Sequence, residues 1–159
     1  MSYSPLIQSQ TRVSVAIAIL YRDGKFLCQL RDDIPGIRYP GLWALFGGHL
    51  EPGETPEAAL LRELQEEIRY TPSVVSWFGC YPDAEVVRHV FHSPLRVDVK
   101  DLSLQEGWDL GLLTPEEIRA GQCYSAKADC VRPLGRPHQG ILLDFLAQQE
   151  QQSLLTPAN

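Results

Sequence analysis

The sequence lacks any apolar run that approaches the roughly 18 residues of a membrane-spanning helix. Its first ten residues, MSYSPLIQSQ, contain neither a basic region nor an apolar signal core. These two absences predict a cytoplasmic protein without a membrane partner. The formal net charge of −6 also argues against binding to duplex nucleic acid, because a phosphate backbone requires a concentrated basic patch.

Cysteine is scarce, and the cysteines show no C-x-x-C spacing of the kind that marks zinc or redox sites. We therefore expect Cys28, Cys80, Cys123 and Cys130 to be buried free thiols. A zinc site made of Cys123, Cys130 and His138 is an alternative, but its spacing fits no familiar zinc pattern.

The length and composition are those of one compact domain. With 159 residues, of which 44% are hydrophobic and 21% charged, the chain can build a substantial core. We expect a single domain over residues 1–159, with a core at about 11–149 and flexible termini.

The first third of the chain predicts β-structure. Val13 to Leu20 and Lys25 to Arg31 are β-rich runs, and Asp23-Gly24 between them is a strong hairpin signal. Asp32 to Pro40 is rich in Pro, Gly and charge, which indicates a loop before a short strand at Leu42 to Phe46.

The second half predicts further strands and two helices. Thr114-Pro115 is typical of a helix start, and a last helix is expected over Gly140 to Gln149 before a frayed tail, Glu150 to Asn159. Strands and helices together predict an α/β fold, an α/β/α sandwich around a mixed β-sheet. The predicted strands are a meander of Ser73 to Cys80, Glu85 to His92 and Leu95 to Val99, followed by a run at Trp108 to Leu113.

The most informative segment is GGHLEPGETPEAALLRELQEEIRY, which runs from Gly47 to Tyr70. Thr55 is a good helix N-cap and Pro56 suits the first helical position, so a helix should begin at this point. Pro72 disfavours helical geometry at the preceding residue, which places the end of the helix near Arg69.

Three glutamates share one arc of this helix, next to an apolar arc formed by Leu60, Leu61, Leu64 and Ile68. Glu63 lies three and four residues from Glu66 and Glu67, so their charges repel each other. Burial would strengthen this repulsion unless a cation lies among the carboxylates, and Mg²⁺ or Mn²⁺ suits such oxygen ligands. The alternative is an ordinary surface helix with solvated ion pairs.

The spacing of Gly48, Glu54 and Arg62-Glu63-Leu64-Gln65-Glu66-Glu67 resembles the Nudix box of the Nudix hydrolases. The resemblance implies that Glu66 and Glu67 are the main metal ligands. It makes Glu63 a further ligand or the base that orients the attacking water, and it makes the backbone carbonyl of Gly47 another ligand. It also implies an α/β/α sandwich.

Other residues are assigned on weaker grounds. Glu54 and Arg62 match the box and are expected to join the loop to the helix by a charged hydrogen bond. Glu106 resembles a distal glutamate that many family members use as a ligand or base, with an exposed loop acid as the alternative. Arg31 and Arg38 could hold substrate phosphates, or could be surface arginines.

Aromatic and histidine side chains offer weaker contacts with a substrate. Four aromatic residues could stack on a base, although aromatics in strands more often belong to the core: Trp43, Trp77, Phe78 and Tyr81. His49, His89 and His92 could contact a substrate.

Arg69 departs from the box, which usually has glycine at this position. An arginine in the left-handed conformation would cost about 1–2 kcal/mol, so we expect the helix to end in another way, helped by Pro72.

The resemblance implies a metal-dependent hydrolase of a nucleoside diphosphate linked to another group. Nucleoside triphosphates, oxidised nucleotides, nucleotide sugars and dinucleotides all remain open as substrates. The alternative is a non-catalytic module that senses a nucleotide and regulates a partner. The charge balance gives no support to RNA-end processing. Dimers are common among proteins that this chain resembles, so a homodimer is one of the open oligomeric states.

Overall fold

The computed structural model describes residues 11–156, which fold into a mixture of strands and helices. The three α-helices are α1 (Pro56–Ile68), α2 (Pro115–Ala120) and α3 (Arg136–Leu155), and a short 3-10 helix covers Val99–Asp101. The strands are β1 (Val13–Arg22), β2 (Lys25–Leu30), β3 (Trp43–Ala44), β4 (Phe46–His49), β5 (Ser76–Pro82), β6 (Val86–Pro94), β7 (Asp109–Leu113), β8 (Gln122–Ser125) and β9 (Cys130–Pro133).

Seven of the strands form one mixed sheet, as the sequence predicts. Its main order is β3-β2-β1-β6-β5, while β4 pairs with β1 and β7 pairs with β2. Only the β1–β6 pair is parallel among these pairings, and the others are antiparallel. The predicted β1–β2 hairpin is confirmed, since Asp23 and Gly24 both have positive φ, as a type I′ turn requires.

The alternating side chains of β1 separate the two faces of the sheet. On one face, Ala16 and Ala18 belong to the cluster that includes Leu60, Leu64 and Ile68 of α1. On the other face, Ile17 and Ile19 belong to the cluster that includes Phe145 of α3. The sheet therefore lies between helices, and the predicted α/β/α sandwich is confirmed.

The predicted third strand of the meander, Leu95 to Val99, is wrong. β6 already has β5 on one side and the parallel strand β1 on the other, so a further strand has no open edge there. The chain instead enters the 3-10 helix, where the Asp98 side chain accepts a hydrogen bond from the Lys100 N–H at 3.1 Å.

Helix α3 is much longer than the predicted Gly140 to Gln149, and the tail predicted to be frayed from Glu150 is helical as far as Leu155. It begins at Arg136 because Gly135 occupies the N-cap and Pro137 fits the first turn. The β8–β9 hairpin was not predicted at all. Residues 1–10 and 157–159 lie outside the described part of the chain, so flexibility of the termini stays a prediction.

The ending of α1 also differs from the expectation. Arg69 adopts the left-handed conformation, with φ 54 and ψ 36, and its N–H donates to the Gln65 carbonyl at 3.2 Å. The loop after the 3-10 helix then satisfies the last carbonyls of α1, because Ser103 N–H donates to Ile68 and Gln105 N–H donates to Glu67. These contacts hold the sharp turn although the residue is not glycine.

The cysteine prediction is correct only in part. Cys28 is buried and free, but Cys80 and Cys130 are exposed and Cys123 is half-buried. Cys80 lies on β5, the edge strand, and Cys130 lies on the small β8–β9 hairpin, so neither position is covered by another layer.

Among residues 11–156, no helix combines the length and apolar character needed to cross a bilayer.

Candidate active site

The site is built around the glycine pair of β4. Gly47 has φ 142, and a Cβ atom there would lie 2.0 Å from the Ala16 carbonyl oxygen of β1. Only glycine can therefore bring β4 this close to β1. The same glycine presents its N–H to α1, where it donates to Glu67 Oε2 at 3.1 Å.

Glu67 lies largely buried against this turn. The pKa of its carboxyl is raised to about 8, mainly by burial and also by the nearby charge of Glu63, while the hydrogen bond from Gly47 lowers it. The charge of Arg31 also lowers the pKa of Glu67, and the charge of Glu106 raises it. Burial first and the neighbouring carboxylates second therefore disfavour the charged form of Glu67.

Glu63 packs directly over the second glycine. A Cβ atom on Gly48 would lie only 2.4 Å from the carboxyl carbon of Glu63. The Glu63 side chain is 17% exposed, and its Oε1 accepts from Arg62 Nη1 at 2.9 Å. The absence of a side chain on Gly48 therefore creates the space that the Glu63 carboxylate occupies.

The predicted contact between Arg62 and Glu54 is present and is bidentate. Arg62 Nε donates to Glu54 Oε2, and Arg62 Nη2 donates to Glu54 Oε1, each at 2.9 Å. Arg62 Nη2 also donates to the His49 carbonyl at 3.0 Å. The hydrogen bonds from Arg62 and the Glu51 N–H lower the pKa of Glu54 to about 2. This network joins β4 and the following loop to α1.

Glu66 has a different environment from the other two glutamates. Its side chain is 59% exposed and forms an ion pair with Arg62 Nη1 at 3.5 Å. It is not among the residues that line the main cavity, whereas Glu63 and Glu67 are. Within residues 11–156, no three acidic, histidine or cysteine side chains form a ready-made metal cluster, and this includes Cys123, Cys130 and His138.

Glu106 comes close to the helix carboxylates although it is distant in sequence. It lines a small cavity of about 60 Å³ together with Arg31, Glu67 and Gly107. Its loop is fixed at both sides, because Gln105 N–H donates to Glu67 at 2.9 Å and Trp108 N–H donates to Leu30 at 2.8 Å.

The main cavity has a volume of about 460 Å³ and includes both predicted arginines in its lining. Arg31 Nε donates to the Arg38 carbonyl at 2.6 Å, and Arg38 Nη1 pairs with Glu85 at 3.3 Å. Among the described residues, no carboxylate forms a salt bridge with Arg31.

Of the other predicted candidates, only His49 lines this cavity. Trp43 is buried and donates through Nε1 to the Cys123 carbonyl at 3.0 Å. Phe78 and His92 pack against Phe145 of α3. The remaining candidates, Trp77 and Tyr81 of the edge strand β5 and His89 of the neighbouring strand β6, do not line the cavity.

The sequence analysis missed three polar residues of the cavity, namely Tyr39, Arg88 and, in this role, His138. Arg88 had a detectable signal. It lies two residues from Val86 and from Val90 on β6, so it shares their inward face, where an apolar residue is expected. Tyr39 and His138 had none, since a loop and a distant helix deliver them.

Comparison with known proteins identifies the family of this chain. The model of the NUDIX domain matches residues 10–132. The chain is 38% identical over 93 residues to an ADP-ribose pyrophosphatase of Methanocaldococcus jannaschii, a match that covers 57% of this chain and 53% of that protein. It is 45% identical over 56 residues to the nucleoside triphosphatase NudI of Escherichia coli O1:K1 / APEC, covering 35% of this chain and 38% of that protein.

The chain thus spans about half, or less, of the length of these curated relatives. A solved structure, the solution structure of the E. coli ORF135 protein, matches along its whole length. Its TM-score is 0.65 and its identity is 26%, and the match covers 98% of this chain and 100% of that one. Since the family model spans most of a chain that folds as this sandwich, the protein belongs to the NUDIX domain family.

Proposed function

We propose that this protein is a metal-dependent hydrolase that cleaves the pyrophosphate linkage of a nucleoside diphosphate joined to another group. The observation that carries this proposal is the convergence of Glu63 and Glu67 on the Gly47-Gly48 turn, at one end of a large cavity. The cavity also contains two arginines, which suit the binding of phosphate groups.

The residues present fit a divalent cation. The raised pKa of Glu67 reflects burial first and the neighbouring carboxylates second, and a cation beside Glu67 would favour its charged form. Mg²⁺ or Mn²⁺ needs only one or two carboxylates when substrate phosphates and waters complete its coordination. Glu63 and Glu67 would hold it, with the Gly47 carbonyl as the further ligand that the family resemblance implies.

Glu66 remains a predicted ligand. Glu66 now forms an ion pair with Arg62 and is more exposed than Glu63 and Glu67. To reach the cation, its side chain would have to break this ion pair. When bound, the cation would neutralise the negative charge that develops on the phosphoryl oxygens.

The chain's own residues would perform the remaining tasks. Arg31 lies beside Glu67 without a carboxylate of its own, so its charge is available to a phosphate group. Arg38 would act at the same end of the cavity. The base that orients the attacking water is Glu63 or Glu106, both of which lie near Glu67.

The names of two relatives support this substrate class. One is called an ADP-ribose pyrophosphatase and another a nucleoside triphosphatase, and both names describe cleavage at a nucleoside diphosphate unit. A small-molecule nucleotide is therefore the proposed partner. A cytoplasmic location, a homodimer and the absence of duplex nucleic acid and membrane partners stay predictions.

The test is to incubate the protein with a substrate panel and Mg²⁺ or Mn²⁺, and to measure the release of phosphate and pyrophosphate. The panel contains nucleoside triphosphates, oxidised triphosphates, nucleotide sugars and dinucleotides. We expect Glu67→Gln and Glu66→Gln to fold normally and to lose most of the turnover, by about 10²-fold or more. Glu57→Gln is the matched control, because it removes an exposed carboxylate from the same helix.

Near-normal turnover in both variants would overturn the site assignment. Nucleotide binding without turnover of any compound by the wild-type protein would instead favour the sensing module.

A further inference from the structure

The cavity lining includes three further polar side chains that the site described above does not use, and we call them the donor cluster: Tyr39, Arg88 and His138. Arg88 and His138 are each only 5% exposed. Among the described residues, His92 Nδ1 is the only fully buried side-chain nitrogen or oxygen without a hydrogen-bond partner. The unpaired donors of the cluster therefore open onto the cavity, where a ligand can reach them.

Arg88 is fixed on one side and unpaired on the other. Its Nη1 donates to Asp83 Oδ2 at 2.6 Å, and its Nη2 donates to the Tyr39 hydroxyl at 2.9 Å. Asp83 is itself fixed, because its Oδ1 accepts from the N–H groups of Glu85 and Val86. Among residues 11–156, the other N–H groups of Arg88 have no hydrogen-bond partner. A guanidinium has five donors in all, so several remain for a ligand.

His138 is a donor as well. The Leu45 N–H donates to His138 Nδ1 at 3.2 Å, so the neutral ring carries its proton on Nε2. Burial keeps the ring neutral by lowering its pKa to about 3. Within the described chain, Nε2 has no hydrogen-bond partner. The Tyr39 oxygen already accepts from Arg88, and its O–H is still available to donate.

The strand register places Arg88 two strands away from β4, the strand that carries the glycine pair of the site. Arg88 of β6 is opposite Val15 of β1, which is opposite His49 of β4. Two strand spacings separate the backbones of Arg88 and His49, which is about 10 Å. Val15 and Ile17 line the cavity between them. An extended nucleoside, with its phosphates near Glu67, spans such a distance with its base at Arg88.

Arg88 is less suited to a phosphate than Arg31. The Asp83 carboxylate balances the charge of Arg88, whereas no described carboxylate forms a salt bridge with Arg31, which lies next to Glu67. The free N–H groups of Arg88 therefore act as directional donors to a neutral acceptor.

We infer that the donor cluster binds the nucleobase and selects bases with a carbonyl group over bases with an amino group, an inference that rests on the proposed function. Guanine and hypoxanthine present the O6 and N7 acceptors, and uracil and thymine present O4. Adenine and cytosine present an amino donor at the equivalent position, which would face the donors of the cluster and leave them unpaired.

The experiment compares substrates that differ only at this edge of the base, where a carbonyl beside a ring N–H replaces an amino group beside a ring nitrogen acceptor. We would measure kcat/KM with Mg²⁺ for ITP against ATP and for UTP against CTP. We expect the carbonyl-bearing member of each pair to be favoured by about tenfold or more, the usual discrimination of a good side-chain contact with a base edge. If only a diphosphate-linked compound is turned over, its hypoxanthine and adenine forms replace ITP and ATP.

Variants link this preference to the cluster. Arg88→Gln should bring the ITP to ATP ratio close to one, and Tyr39→Phe, which removes one anchor of Arg88, should reduce it less. Arg119→Gln is the matched control, because it removes a surface arginine paired with Glu150 and should keep the ratio. If Arg88→Gln does not fold, the wild-type ratio and Tyr39→Phe still decide the question.

The outcomes separate this inference from the proposed function. Hydrolysis with equal kcat/KM for ITP and ATP, or with a preference for ATP, overturns the base selection and leaves the hydrolase in place. If nothing is hydrolysed, thermal shifts with IDP and ADP in Mg²⁺ replace the kinetics. Stronger stabilisation by IDP would then support the donor cluster, and equal or no stabilisation would overturn it.

Discussion

Gly47 and Gly48 are neighbours, yet the structure predicts that alanine will have opposite consequences at the two positions. At Gly48 the added Cβ would lie 2.4 Å from the carboxyl carbon of Glu63, which is 1.0 Å short of the 3.4 Å at which ordinary contact begins. Gly48 has no positive φ, so alanine meets no backbone strain there. The clash falls on the far end of a flexible side chain, which can move.

The Glu63 carboxylate must therefore shift by about 1 Å in Gly48→Ala, and a misplacement of this size can reduce a rate by about 10²-fold. That loss corresponds to about 2.7 kcal/mol in the activation barrier. The free energy of unfolding should change by less than about 1 kcal/mol, because an alanine in an allowed conformation also reduces the entropy of the unfolded chain.

At Gly47 the clash is with backbone and cannot be relieved in this way. The added Cβ would lie 2.0 Å from the Ala16 oxygen and 2.7 Å from the Ile17 Cα, and φ is 142. Backbone strain of this kind alone costs about 1–3 kcal/mol, so Gly47→Ala should be clearly less stable than the wild type.

The assay combines urea denaturation with kcat/KM on the best substrate of the panel for the wild type and both variants. Gly48→Ala should be stable and slow, and Gly47→Ala should be unstable. A Gly48→Ala protein with wild-type turnover would refute the close packing of Glu63, and one with a large loss of stability would refute the flexible relief.

Two further predictions concern stability. Arg69→Gly should raise the free energy of unfolding by about 1 kcal/mol, because glycine relieves the left-handed conformation at φ 54. Arg69→Ala keeps that conformation strained, so urea denaturation that finds the two variants equally stable would contradict this reasoning. The folded-state pKa of His138, about 3, lies below the unfolded value of 6.5, so its contribution to stability is full above pH 6.5 and declines as pH falls towards 3. Between pH 7.5 and 5.5 the wild type should lose about 1.4 kcal/mol more than His138→Gln in urea denaturation, and equal losses would show that the buried ring does take up a proton.

Local signals in the sequence determined the secondary structure near the site and the character of helix α1. Asp23-Gly24 specifies its own turn, and Thr55-Pro56 starts α1 by a cap that needs only neighbouring residues. The carboxylates and the apolar arc follow from helical periodicity, and the strands and helices together predicted the α/β/α sandwich. Interactions of this range are encoded within a few residues, which is why one sequence is enough to find them.

Tertiary structure decided what each glutamate faces. The same periodicity put Glu63, Glu66 and Glu67 on one arc, but the approach of β4 through Gly47 enclosed two of them and left Glu66 outside. The left-handed Arg69 and the absence of a third meander strand also depend on partners distant in the chain.

The donor cluster shows most clearly what could not be predicted from the sequence. A loop, a strand and the last helix bring Tyr39, Arg88 and His138 to one cavity. Their meeting depends on sheet order and on the long-range packing of α3. Local patterns carry no information about such distances, so the sequence alone supported the proposed reaction class, and only the fold brought together the cluster that we propose selects the base.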